Sequence, residues 1–421
     1  MKKFLIAASV FVAGLTASSA FAFENQFGGE WYSRAYVQRN FGFKDVYAPG
    51  EKKSMEDRDT SVADSRTRLF YTAKFNDRFM LVNKFEMGDQ IWGDNSKATS
   101  NYGKIGADGI AVEVKNTYAD FTPVDNLNFK VGTQGTILSR SFLFDDDFAG
   151  AVVTYDFGNT KLPFLWMKYN EGGPGKDKND EDMDAYVLNP EIAMGKITIN
   201  PMVMYMTQDT DPNKVYDSRD IYYLALNADL KTDNAKAWFT GIYQGGTEEV
   251  YASNTDIDVS AYLLAVGGEV SLGKAGLHGQ VFYASGDDNA ADTDQEAFIA
   301  PQGRSYYWSE IMGYGIFDNQ FSNNSPGDGI TNITAANLGA SFQAMPKLTL
   351  FADVWYAQLV EDVLAYNGKM ENELGLEVDL RAQYMIYENL ALDVVGAYLA
   401  AGDATGEDDP MEIGTRLELK F

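Results

Sequence analysis

The chain ends Met411-Glu412-Ile413-Gly414-Thr415-Arg416-Leu417-Glu418-Leu419-Lys420-Phe421, and this stretch has two faces. Met411, Ile413, Thr415, Leu417, Leu419 and Phe421 share one parity; Glu412, Gly414, Arg416, Glu418 and Lys420 share the other. Successive side chains of a strand point to opposite sides, so the alternation predicts a strand with an oily face and a wet face. The same pattern runs backward through the sequence. Leu390, Leu392, Val394, Gly396 and Tyr398 alternate with Ala391, Asp393, Val395, Ala397 and Leu399. Leu374, Leu376, Val378, Leu380, Ala382 and Tyr384 alternate with Gly375, Glu377, Asp379, Arg381 and Gln383. Oily parities recur in 348–356, 336–342 and 277–283, with His278 on the polar side of the last.

Further strands read at 259–273, 235–246, 219–232, 196–208, 183–194, 161–171, 148–157, 127–135, 109–121, 79–92, 64–75 and 28–43. Pro190 and Pro201 fall inside two of these runs, where proline cannot donate to a ladder. The connections alternate in length. Asn76-Asp77-Arg78, Gly158-Asn159-Thr160, Asp233-Asn234, Lys274-Ala275 and Pro346-Lys347 are short, whereas 44–63, 93–108, 136–147, 287–333 and 402–410 are long. A soluble sandwich or propeller has no reason for that alternation, and no motif recurs at the roughly 40-residue period of a propeller. Short turns on one rim and long loops on the other mark a transmembrane barrel. The expected fold is all-β: a transmembrane antiparallel β-barrel of about 18 strands. Its short turns would face the periplasm and its long loops the exterior of a Gram-negative outer membrane, its lipid and lipopolysaccharide surrounding the wall.

Composition narrows the rest. Lys2 and Lys3, an apolar run from Phe4 to Leu15 and the small residues up to Ala20-Phe21-Ala22 read as a secretory signal peptide over 1–22, leaving 23–421 as the barrel. No later stretch approaches the roughly 20 apolar residues of a membrane helix. A formal net charge of −27 argues against nucleic acid as a partner. With no cysteine and a single histidine, thiolate chemistry, disulfides and multi-histidine metal sites have no residues to use, so neither an enzyme nor a cofactor is expected. Glycine is frequent at 39 and proline scarce at 11, beside 25 tyrosines and 26 phenylalanines, a mixture suited to strands and turns.

The terminal Phe421 with Leu419 and Leu417 resembles the carboxy-terminal signal of outer-membrane barrels, which implies recognition by the barrel-assembly machinery. Lys130-Val131-Gly132-Thr133-Gln134, the run Phe142 to Ala151, and Arg304-Ser305-Tyr306-Tyr307-Trp308 resemble segments of the alginate-export and related porin families. That resemblance implies an eighteen-stranded barrel. Thr133 stands where it leads to an arginine in a Gly-Arg-Gln triplet, so an arginine ladder for polyuronates is not carried over.

Loop 136–147 carries Ile137, Leu138, Phe142, Leu143 and Phe144, an apolar load unsuited to a loop in water. It either folds inward as a constriction, presenting Arg140, Asp145, Asp146 and Asp147 to a solute, or extends its two strands above the membrane. In the long loop 287–333, Tyr306, Tyr307 and Trp308 read as an aromatic surface for sugars or, with more support, as a rim cap. Acid clusters at 177–184, 287–294 and 407–409 lack the spacing of a calcium loop and read as solvated; Gly172-Gly173-Pro174-Gly175-Lys176 likewise lacks phosphate-loop spacing.

Lumen parity assigns Arg34, Arg66, Arg68, Glu377, Asp379, Arg381, Asp393 and Arg416 to the pore wall. Closure is expected to set Arg416 beside Arg34, with Arg68 next to them. Interleaved charges favour a stiffening salt-bridge network; the rival is a basic stripe that sets ion preference. The function expected is a porin for passive diffusion of small hydrophilic solutes or ions. A substrate-specific channel for sugars or organic acids and a closed structural or adhesive barrel are the alternatives, as are monomer and trimer. The mature chain should begin near Phe23; an intact mass that still includes residues 1–22 contradicts the leader.

Overall fold

The computed structural model describes residues 23–41, 59–94, 102–103, 105, 111–172, 181–210, 215–251, 253, 255–289, 291–301, 306–318, 327 and 329–421. The expected leader 1–22, Arg304, Ser305, Gly173 to Lys176 and the acidic residues 177–180 lie outside them.

The wall is a closed sheet of eighteen antiparallel strands. Its first nine are Glu24–Arg39, Thr60–Asn76, Phe79–Trp92, Val112–Val124, Leu127–Leu138, Phe144–Asp156, Thr160–Asn170, an eighth in two pieces (Met183–Leu188 and Glu191–Met194), and Ile197–Gln208. The last nine are Tyr216–Lys231, Ala235–Val250, Thr255–Leu272, Ala275–Ala284, Ile333–Met345, Leu348–Leu364, Met370–Tyr387, Leu390–Ala401 and Met411–Lys420. Each pairs with its neighbours in sequence, and the eighteenth closes on the first from Glu30↔Lys420 to Arg39↔Met411. Two prolines that interrupt the sequence pattern share one gap. Pro190 separates the pieces of the eighth strand, and Pro201 faces that gap, beyond the pairing of Ile197–Ile199 and before that of Val203–Gln208. Neither position needs a donor there.

Outward residues such as Leu224, Leu264, Leu350, Leu376, Leu380 and Ile413 remain exposed, as a lipid-facing belt requires. Leu374 departs from the expected parity: a register shift beside Gly375 (φ 126°) turns it inside, where it is fully buried. The inner face is not uniformly polar. Met202, Met204, Met206, Ile221, Tyr223, Leu263, Phe282 and Leu399 point inward and are buried with loop residues Phe298, Trp308, Ile311 and Met312 in one apolar cluster. The barrel therefore contains a core of its own.

The hairpin of the fifth and sixth strands supplies part of that core. The fourth strand pairs with the fifth only from Thr117↔Thr133 to Val124↔Leu127, and the sixth with the seventh only from Ala149↔Lys168 to Asp156↔Lys161. The rows from Gln134↔Phe148 to Leu138↔Phe144 thus form a ribbon that has left the wall. Gly132 and Gly150 face each other where it departs. A Cβ on Gly132 would lie 2.3 Å from Thr117 O, and one on Gly150 2.0 Å from Trp166 O, so the bend needs both glycines. At the tip, Ser139, Arg140 and Ser141 all have positive φ, a strained run for residues other than glycine. Phe142 holds the tip by stacking on Tyr306 at 4.0 Å between centroids, beside Phe282 and Trp238. The strands continue through 138 and 144, but the continued ribbon packs against inward-facing wall residues rather than rising above the membrane. Replacing Phe142 by alanine should cost roughly 3–5 kcal/mol, as large-to-small core changes do. The midpoint of thermal unfolding, read by heat-modified electrophoresis, should fall.

Candidate functional site

Beside the apolar core lies a polar cavity of about 1240 Å³ within the lumen. Its charges divide by position around the barrel. Arg34, Arg66 and Arg68 from the first two strands, Arg381 from the sixteenth and Arg416 from the eighteenth line one arc, contiguous through the seam. Asp229 from the tenth strand and Glu269 from the twelfth lie away from that arc, with Lys236 beside Glu269 and with Asp145 and Asp146 on the inward hairpin, whereas Asp353 from the fifteenth strand adjoins the strand of Arg381, and Asp379, Glu310 and Asp318 add acid on the basic side.

Most of the basic arc is internally neutralised. Arg34 is buried, bonded twice to Asp64 (Nε to Oδ1 2.9 Å, Nη2 to Oδ2 2.7 Å) and also to Asp318 and the carbonyl of Ile316 at 2.8 Å each. Arg416 donates to Asp393 at 3.0 Å, Gln383 donates to the other oxygen of Asp393 at 3.1 Å, and Arg68 reaches Glu30 at 3.0 Å. Arg66 sits over the Tyr32 ring, 3.7 Å from Asp89. Arg34 and Arg416 are register partners, as closure predicts. Arg68 is not beside them: the stagger between the first two strands sets Arg34 opposite Asp64 and Arg68 opposite Glu30. Arg381 differs from the rest. Its guanidinium stacks on Phe351 at 4.1 Å and carries no ion pair among the described residues.

The acidic residues divide similarly. Asp393 and Glu377 are fully buried behind the cavity rather than on its surface, whereas Asp379 reaches the cavity edge. Asp147 turns to Lys115 at 3.2 Å and accepts from Asn116 at 2.6 Å. Asp145 and Asp146 are exposed, and among the described residues their hydrogen bonds stay within the hairpin, from Ser141 Oγ and the Asp147 amide. Arg140 crosses the lumen to Asp229 at 2.5 Å, over the Trp238 ring. Of the three loop aromatics, Tyr307 is exposed to the cavity. Tyr306 and Trp308 serve the core: Tyr306 donates to Gln280 at 2.8 Å, and Trp308 packs edge-on against Trp355 at 5.0 Å.

Sequence parity overlooked several residues. Asp64, Glu30 and Glu86 lie on the lumen parity of their strands and were legible in principle. Asp318 and Glu310 belong to the long loop and meet the wall only through folding. His278 Nε2 lies 2.6 Å from Asp353 Oδ1, the two reaching across the intervening strand above Gly339. A Cβ on Gly339 would lie 2.2 Å from both atoms.

A closed eighteen-stranded barrel with a belt of exposed apolar residues and a charged lumen has the architecture of a membrane-spanning β-barrel. The family model described as alginate export matches residues 169–417, and the chain belongs to that family. Among solved structures, OpdK of Pseudomonas aeruginosa, crystallised with vanillate, is 11% identical at a TM-score of 0.57, covering 94% of this chain and 98% of its own. The OprD outer membrane protein of the same organism is 12% identical at 0.55, covering 94% and 93%. A BenF-like porin from Pseudomonas fluorescens is 12% identical at 0.56, covering 95% and 100%. At these identities the likeness is one of fold. No curated protein matches the sequence significantly.

Gly339→Ala should drive His278 and Asp353 apart. Because His278 is the only histidine, nitrogen-labelled histidine gives one imidazole signal. Its hydrogen-bonded ring proton should disappear in the variant while the barrel still folds.

Proposed function

We propose that this protein is a porin that lets small hydrophilic solutes diffuse across the outer membrane, with a preference for solutes bearing both signs of charge. The observation that carries the reading is the lumen itself: Arg381, with no ion pair, lies on the seam-side arc, while Asp145 and Asp146, with no cation partner among the described residues, lie on the hairpin that enters from elsewhere in the wall. Fixed charges of opposite sign across a narrow, low-dielectric channel create a transverse field that orients dipolar solutes. The remaining arginines are locked to carboxylates and read as wall stiffening, with Arg66 the more loosely held. Residues 1–22 act in this reading as the export leader and are absent from the working channel.

Single-channel recording of the purified barrel tests the proposal. Under a salt gradient, Arg381→Gln should shift the reversal potential toward cations, and the double change Asp145→Asn with Asp146→Asn toward anions. A folded barrel that passes no current supports the structural or adhesive alternative. Current with unmoved reversal potentials in both variants removes the field.

A further inference from the structure

Residues 306–318 form one wall of the cavity, and both ends of this segment are fastened to the barrel. Near its start, the buried carboxylate of Glu377 accepts from Ser309 Oγ at 3.1 Å, the Ile311 amide at 2.7 Å and the Met312 amide at 2.8 Å. Near its end, Arg34 holds the Ile316 carbonyl and Asp318, and Phe317 stacks on Tyr36 at 4.9 Å. Between these anchors the segment folds around Glu310, whose Oε2 accepts from the Ile316 amide at 2.6 Å and whose own amide donates to Asp379 at 3.4 Å.

The charges around Glu310 do not balance. Glu377, Asp379 and Arg381 face it from the strand Met370–Tyr387, and Glu412 and Arg416 from the last strand. Arg416 is occupied by Asp393, and Arg34, near Glu412, by Asp64 and Asp318. Asp379 shares a side-chain hydrogen bond with Glu377, and one oxygen of Glu412 is buried without a hydrogen-bond partner among the described residues. An ionised Glu310 would add a further negative charge to a half-buried group of carboxyls at the cavity edge, in which Arg381 is the one cation without an ion pair among the described residues.

We propose that residues 306–318 are a proton-latched wall of the lumen: the segment stays seated while Glu310 carries a proton, and Glu310 ionised releases it into the cavity. Burial first, and then the neighbouring Glu377, pushes the Glu310 carboxyl up to about 7. The seated state therefore binds a proton that a solvated glutamate would have lost. Its extra stability is complete below the ordinary carboxylate range and fades as the pH rises through about 7. Because Tyr307, Tyr314 and Ile316 line the cavity, the seating of this segment sets the free width of the lumen.

Thiol labelling tests the latch without requiring the barrel to conduct, so its failure is distinct from failure of the porin reading. The chain has no cysteine, and Ile311 is buried in the seated segment. The full-length variant Ile311→Cys in detergent is labelled with a water-soluble thiol reagent. Its rate at each pH is divided by that of Ser253→Cys, an exposed outer-loop position, to remove the intrinsic dependence of the thiol. The normalised rate should be low near about pH 5 and rise by up to about tenfold per pH unit above neutrality. Adding Glu310→Gln, the neutral isostere, should hold it low throughout. A normalised rate that does not change with pH overturns the latch, as does a rise that persists with Glu310→Gln. If the double variant fails to fold, the pH profile of Ile311→Cys alone decides.

Discussion

Inside hydrocarbon a peptide group without a hydrogen-bond partner costs several kcal/mol, so a sheet that spans a membrane has to close on itself. Here closure falls between the first and last strands, and the ends of the chain are fitted to it. Gly29 and Phe421 exchange backbone hydrogen bonds at 2.7 and 3.0 Å, and the Phe421 ring lies over Gly29, where a side chain would collide with it. One register then fixes a row of side chains across the seam, Gln383, Asp393, Arg416, Arg34 and Asp64, in which two arginines that would repel are flanked by carboxylates. The position of the cavity and the anchorage of the 306–318 segment on Arg34 both follow from that register.

The strands were legible because burial in lipid imposes a strict parity over ten or more residues, and a slip by one would turn a whole face the wrong way. The runs 79–92 and 183–194 occupy the ranges read from the sequence, the second with its break at Pro190. Parity says nothing of what fills the inside. In Ile197–Gln208 both faces are apolar, one toward lipid and one toward loop residues that meet it only in three dimensions. For the same reason Tyr306 and Trp308 read in sequence as a rim cap or, with less support, a sugar surface, and in space they pack into the core inside the barrel.

The charged site was half legible. Residue counting put the arginines on the lumen side but assumed that neighbouring strands begin level; the stagger of a tilted barrel moved Arg68 away from Arg34 and brought Asp64 there instead. Asp318 and Glu310 gave no signal, since nothing in a loop of that length shows which residue will meet the wall. The apolar load at 137–144 was visible, and the facing glycines Gly132 and Gly150 were the unread sign of where the ribbon bends.

The apolar cluster enclosed by the wall makes this protein two solids, one inside the other. The outer one is held by backbone hydrogen bonds that cannot open without exposing peptide groups to lipid. The inner one is held by side-chain packing among Phe142, Phe282, Trp308, Met204 and Leu263, much as in a water-soluble domain. The two are joined, because Met204, Leu263 and Phe282 belong to the wall strands and to the inner packing at once, so a change of contents is felt by the vessel that holds them.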